Sequence, residues 1–414
     1  MSSHNTSTNT GLSQAESPYA WMRLIASFLI GTIGAVGMWS VVVVLPAVQA
    51  EFNVARADAS LPYTVTLMSV AIGSIMMGRF ADRFGIIYPA LLGTVMISVG
   101  YMATSQAQSL WQFTLIHGLI IGFFGCSFTF APLIADISHW FNRRRGIAVA
   151  ICACGSYMAG TVWPPVVQHF IDTVGWRQTH LGMGIFCLVA MLPLLLFLRR
   201  RPPEHGMSAA AVAAAGSQSR LGISPNVLLG LLVVAGVACC VAMSMPQVHI
   251  VAYCGDLGYG AARGAEMLSL MLGFGVISRL VFGWIADRLG GLPTVLLGSS
   301  LQAVALFLYL PFDSLPSLYM ISILFGLFQG GIVPSYAIAV REYFPPNQAG
   351  TRISIVLMAT MLGMALGGWL SGVLYDLTGS YDAAFINGIA WNVLNMGIIA
   401  WLLVRRRALQ PAMA

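Results

Sequence analysis

Gly78-Arg-Phe-Ala-Asp82-Arg83-Phe-Gly85 and Gly283-Trp-Ile-Ala-Asp287-Arg288-Leu-Gly290 are two copies of one octet, and each closes an apolar stretch long enough to cross a bilayer as a helix. Two more matches fall at nearly the same offset. Trp140-Phe141 recurs as Tyr343-Phe344, and Asp172-Thr-Val-Gly175 recurs as Asp376-Leu-Thr-Gly379. Three matches at nearly one offset mark an internal duplication. Outward from the octets, apolar stretches of about twenty residues fall at 22–48, 61–79, 86–104, 110–136, 146–168, 178–198, 226–249, 262–283, 292–310, 317–340, 353–374 and 384–404. Six stretches per copy, an even number, return the chain to its starting side, so the copies enter the membrane in the same sense. The expected fold is an all-α membrane protein of twelve transmembrane helices in two parallel six-helix repeats.

Composition agrees. Of 414 residues, 58% are hydrophobic and only 8% charged, with a mean hydropathy of +0.81; a soluble domain carries roughly a quarter charged residues. All 20 basic residues are Arg. Without Lys there is no P-loop and no Schiff base to pyridoxal or retinal, which excludes a P-loop ATP-driven pump and a rhodopsin-like photoprotein. No HExxH, GxSxG or GxGxxG in a strand-to-helix setting is present, so an enzyme is not expected. The seven Cys show no metal-ligand spacing and read as small core residues, so neither metal nor cofactor is expected. The net charge of +6 is concentrated in loops that face anionic lipid; it forms no nucleic-acid patch.

Residues 1–21 read as a disordered cytoplasmic tail, 22–198 as an N-terminal six-helix bundle, 199–225 as a cytoplasmic inter-bundle loop, 226–404 as a C-terminal six-helix bundle and 405–414 as a second cytoplasmic tail. Every Arg except Arg56, Arg177, Arg263 and Arg279 then falls on one side of the membrane. Arg-rich short loops stay in the cytoplasm, so both termini are placed there, in a multi-pass cell inner-membrane protein.

Within the octets, Gly78, Gly85, Gly283 and Gly290 permit close approach and tight reversal between helices. Asp82 and Asp287 suit a neighbouring helix N-terminus. Arg83 and Arg288 are left for an acid, with Asp136 and Glu342 available near the same side. Together these residues read as a conformational latch; the plainer reading is topogenic loop charge.

From 20 to 407 the chain resembles the major facilitator superfamily, whose signature GxxADRxG lies between helices two and three and recurs between eight and nine. The resemblance implies two bundles that alternately open a central site to each side. Trp140-Phe-Asn-Arg-Arg-Arg-Gly-Ile-Ala148 and Arg279-Leu-Val-Phe-Gly283 are similar to segments of the monocarboxylate transporter and oxalate/formate antiporter branch, and this narrower resemblance implies that Arg279 binds a substrate carboxylate. Two features depart from the branch. Gly275 stands where mammalian-type members carry an Asp, and helix one has Met38, Trp39 and Ser40 where they carry a Lys. The usual proton-coupling pair is thus missing.

Arg279 lies inside a predicted helix, where a guanidinium is costly without a counter-charge, and an anionic substrate supplies one. It is also only about 6 Å along the helix from Gly283, within reach of snorkelling to the interface. His249, at the end of helix seven, can hydrogen-bond a carboxylate or carry a proton near neutral pH; the alternative is an interfacial or capping role. His117, inside helix four, reads as a cavity residue or as a bridge between helices. In helix ten, Gln329, Gly330, Gly331, Pro334 and Tyr336 form a breakable stretch carrying an amide and a hydroxyl for a site wall. Trp39 and Trp163 read as packing.

The expected partners are a small organic anion, a proton and membrane lipid, and the expected state is a monomer. Export of a drug or other solute by the same fold stands as an alternative, and a non-transporting membrane receptor as a third. The topology has a direct test. A single Cys placed in the 199–225 loop should react with impermeant thiol reagents only from the cytoplasmic side, and labelling from outside intact cells would reverse the orientation.

Overall fold

In hydrocarbon a backbone N–H or C=O has no water to turn to, so a chain this apolar must satisfy its hydrogen bonds within helices. The computed structural model describes residues 16–141, 144–200, 222–344 and 346–409, and of residues 145, 146, 346–350 and 409 the backbone alone. Most of the two tails, Arg143, Arg201 and Arg220 lie outside the described residues. Twelve helices among them are long and apolar enough to span a membrane: α1 Pro18–Phe52, α2 Arg56–Phe84, α3 Ile87–Thr104, α4 Leu110–Ser138, α5 Ile147–Val174, α6 Trp176–Leu198, α7 Pro225–Asp256, α8 Ala261–Leu289, α9 Gly291–Leu308, α10 Leu315–Tyr343, α11 Thr351–Thr378 and α12 Asp382–Ala408. No strand occurs among the described residues.

Local chemistry sets the boundaries. Ser17 caps α1 by accepting from the Ala20 amide, with Pro18 in the first helical position, and Ser224 does the same for α7 ahead of Pro225. Gly85 and Gly290 close the two octets at φ +94° and +90°. This left-handed backbone penalises any side chain, so the reversals from α2 to α3 and from α8 to α9 call for glycine there. Gly78 and Gly283, by contrast, face open space where a Cβ would point. Interruptions sit where helix geometry fails. In α4 residues Ile116–Gly125 wind as a π-helix, and α10 breaks between Gln329 and Ile332 at its two glycines.

The chain forms two compact units. The first takes residues up to Ala47 with Val65–Met207; the second takes Val48–Thr64 with the residues from Ser208 on. The last turn of α1 and the first turns of α2 therefore pack with the C-terminal half.

In the first unit the N-terminal end of α1 is held by a buried ion pair. Arg23, fully buried, donates from Nε and one Nη to the two oxygens of Asp136 on α4, both at 2.8 Å, and its other Nη reaches the carbonyls of Phe197 and Arg200. The guanidinium also lies 4.7 Å from the Trp140 ring centroid. In the second unit α8 and α10 touch backbone to backbone. A Cβ on Gly330 would collide with the Gly275 carbonyl, and one on Gly331 with the Phe282 ring, while the Gly331 amide donates to Ser278 Oγ at 3.1 Å. The contact constrains α10: position 330 has no room for a side chain against the α8 backbone at Gly275. Many large apolar side chains remain exposed around both units, among them Trp111, Val189 and Leu377, as a lipid-facing surface requires.

Candidate functional site

The residues singled out from sequence fall into separate environments. Arg279 is on α8, half-buried, and of all the described acidic and basic residues it lies farthest from the end of its span. Gln329, at the break in α10, is buried and accepts from Gln247 Nε2 on α7 at 2.8 Å; its own amide nitrogen has no hydrogen-bond partner among the described residues. Tyr336 faces a different neighbour. Its hydroxyl donates to Asn395 Oδ1 on α12 at 2.6 Å, and Asn395 in turn donates to Ser299 Oγ on α9 at 2.7 Å. That hydroxyl is committed to the interior of the second unit.

His117 belongs to the interior of the first unit. It is fully buried, with Nδ1 2.9 Å from Thr66 Oγ1 and its ring stacked on Phe113 at 5.6 Å. His180 on α6 stacks on the same Phe113 at 5.8 Å and places Nδ1 2.9 Å from Thr104 Oγ1. Thr104 already donates to the Tyr101 carbonyl, so the His180 Nδ1–H is the donor between them. His180 carried no sequence signal; only packing of α3, α4 and α6 brings it to His117.

His249 is buried near the C-terminal end of α7 with both ring nitrogens engaged. Nε2 is 2.8 Å from the Gly368 carbonyl on α11, and a carbonyl only accepts, so Nε2 carries the proton. Nδ1 is then an acceptor, and the Tyr381 hydroxyl donates to it at 3.1 Å. Burial pushes the Tyr381 phenol above its ordinary pKa and keeps it a donor. The Tyr381 oxygen accepts from Arg56 Nη1 at 3.3 Å, and Arg56 Nη2 donates to both oxygens of Asp256 at 3.1 and 3.2 Å. Asp376 completes the group by accepting from the backbone amides of Arg56 at 2.9 Å and Ala57 at 2.7 Å, and so caps the start of α2. Asp172, the matching acid of the first repeat, accepts from Gln168 on its own helix. Arg56 reads from sequence as an ordinary loop charge; the structure buries it among three elements.

The octets also have distinct partners. A cavity of about 280 Å³ is lined by Gly78, Asp82, Arg83 and Gly85 with Asp136 of α4 and His139 just beyond its end. Arg83 lies over the Phe84 ring, and the acid left for it in the sequence reading, Asp136, is held by Arg23 instead. Arg288 stacks on Trp284, and Glu342 accepts from the Gly291 amide at 2.9 Å, where it caps α9. Asp82 and Asp287 are exposed.

The chain belongs to the Major Facilitator Superfamily, whose family model matches residues 27–315 and 267–412. Monocarboxylate transporter 13 of Bos taurus is 26% identical over 405 residues, covering 94% of this chain and 91% of that protein. An MFS-type transporter of Aspergillus niger, pynF, is 26% identical over 341 residues, 81% of this chain and 76% of its own. Among solved structures, a bacterial homolog of the human lysosomal transporter Spinster, inward-facing and occupied, superposes with a TM-score of 0.74 at 15% identity, covering 95% of this chain and 98% of that one. At that identity the likeness shows the fold alone. The chain is thus a multi-pass membrane transporter of a small molecule, not an enzyme, and stands in the monocarboxylate transporter-like branch.

The Arg23–Asp136 pair generates a stability prediction. Removing one partner strands the other charge among buried groups, a loss of about 3–5 kcal/mol for a buried pair. Arg23→Gln should therefore lower the melting temperature of the purified protein by many degrees. A melting temperature within a degree or two of the parent would show that the pair adds nothing to stability.

Proposed function

We propose that this protein is a secondary active transporter of a small, monocarboxylate-like organic anion, with a proton as co-substrate, working as a monomer by alternating access in a cell inner membrane with both termini in the cytoplasm. The observation that carries the reading is Arg279. It places a permanent positive charge deep in a span of a monocarboxylate transporter-like chain, four residues after Gly275, where α10 packs against the α8 backbone. A carboxylate there can form a bidentate pair shielded from bulk water, stronger than the same pair on a surface. The amide nitrogen of Gln329, buried and without a hydrogen-bond partner among the described residues, supports a polar ligand in the same unit. Support for the orientation comes from the one-sided distribution of Arg.

The duplicated octets serve in this reading as the latch that balances the inward-open and outward-open forms. Gly85 and Gly290 fix the reversals, and Asp82 and Asp287 stand exposed at the ends of α2 and α8. Asp82→Asn or Asp287→Asn should slow uptake into proteoliposomes severalfold at unchanged melting temperature. Parent rates in both would leave the octets as topogenic charge only.

Arg279 has the sharper test. Lys keeps the charge but loses the planar fork, and Gln loses both. A charge-assisted hydrogen bond contributes about 1.5–3 kcal/mol, roughly ten- to a hundredfold in affinity. Arg279→Lys should bind the anion weakly and Arg279→Gln hardly at all, read as substrate-induced thermal stabilisation beside uptake of labelled monocarboxylates. If Arg279→Gln keeps parent affinity for every anion the parent transports, the carboxylate site lies elsewhere and solute export becomes the better reading.

A further inference from the structure

We propose that Arg56 transmits the protonation state of His249: its clasp on Tyr381, Asp256 and Asp376 closes only around a neutral imidazole, and a proton on His249 releases residues 48–64 from the C-terminal unit. This deepens the proton-coupled reading above and rests on it for the source of the proton.

The tautomer argument fixes the direction. In the clasped arrangement three hydrogens run in relay, each with one acceptor: Arg56 Nη1–H on the Tyr381 oxygen, Tyr381 O–H on His249 Nδ1, His249 Nε2–H on the Gly368 carbonyl; the Arg56 Nε–H has no partner among the described residues. A proton taken from water onto Nδ1 turns that nitrogen into a donor. The Tyr381 oxygen then faces N–H groups from both His249 and Arg56, and its own hydrogen loses its acceptor. The new imidazolium is also a second positive charge beside Arg56, in a buried setting where repulsion is weakly screened.

The other groups around His249 do not offset this. From α2 come Arg56 and Tyr63, whose ring lies against Gly368. From α11 come Tyr375, whose ring lies 4.8 Å from the Arg56 guanidinium, and Asp376. On α7 itself are Tyr253, packed edge-on to Tyr381, and Asp256, engaged by Arg56. The ionisable pair of α8, Arg263 and Glu266, is exposed and self-paired at 3.0 Å, and Asp382 at the start of α12 is exposed. Asp376 is the acid of this group that Arg56 does not bind through its side chain. Its oxygens hold the Arg56 and Ala57 amides, so an imidazolium competes with those amides for it and loosens the cap of α2 as well.

By reciprocity, if protonation opens the clasp, opening the clasp raises the affinity of His249 for a proton. The site would then load its proton when residues 48–64 leave the C-terminal unit and discharge it when they return.

The test reads the clasp without substrate. Ser60 on α2 is fully buried, and among the described residues its hydroxyl bonds only within its own helix, to the Ala57 carbonyl; the seven native Cys are buried. In purified full-length protein, maleimide labelling of Ser60→Cys is measured from about pH 8 to about pH 5.5, across the range in which an imidazole titrates. It is normalised at each pH to labelling of Ala55→Cys, an exposed position. The normalised rate should rise severalfold as pH falls. With His249→Gln, whose amide reproduces one donor and one acceptor, it should stay low and flat. With Tyr381→Phe it should lose its pH dependence, and with Arg56→Gln it should be high throughout. A parent-like rise in His249→Gln or Tyr381→Phe, or parent rates in Arg56→Gln, would overturn the proposal. Size-exclusion profiles identify a variant that fails to fold, and Tyr381→Phe, which keeps its ring, decides the matter if Arg56→Gln does. Because no anion is present, failure here leaves the Arg279 site standing, and failure at Arg279 leaves the clasp standing.

Discussion

A charge removed from water needs a counter-charge or a set of dipoles at once, and a chain with 8% charged residues has few to arrange. Arg23 and Arg56 show how this protein meets the constraint. They flank α1, one six residues into it in chain order and one just beyond its end, and each is buried and gathers several elements. Arg23 binds α4 through Asp136 and the end of α6 through two carbonyls. Arg56 binds the end of α7 through Asp256 and Tyr381 beyond α11, while its amide is capped by Asp376. Helices that share no propensity to associate in lipid are tied together where these few charges must be satisfied.

Elsewhere the interior is polar but neutral. Tyr336, Asn395, Ser299 and Asn392 link α9, α10 and α12; Gln247 and Gln329 link α7 and α10; His117 and His180 enclose Phe113 between α3, α4 and α6. Such groups hold helices in register without the desolvation penalty of ions. Glycines do the rest by contact, with Gly330 set against Gly275 so closely that α10 has no room for a side chain at that position. Against this neutral background Arg279 stands out as a charge placed deep in a span.

Much of this was legible in the sequence, for reasons tied to local physics. Apolar stretches of bilayer length give the spans, since a helix is the one local structure that satisfies its own backbone in lipid. The octet glycines at 85 and 290 mark reversals because their φ excludes side chains. Two glycines in sequence at 330 and 331 foretell the break in α10. The depth of Arg279 follows from counting residues along α8.

Partner choice was not legible. Asp136 reads as an acid for Arg83 of the first octet, yet Arg23 takes it across a separation of 113 residues. Arg56 reads as loop charge, yet its partners lie 200 and more residues away, and they turn His249 from a candidate ligand into a neutral imidazole with both nitrogens engaged. The sequence by itself determined the spans, the duplication and the reversals, because these depend on length, hydropathy and backbone conformation within a few residues. Only the tertiary structure decided which charge meets which, because an ion pair depends on the distance between side chains that the order of residues along the chain does not encode.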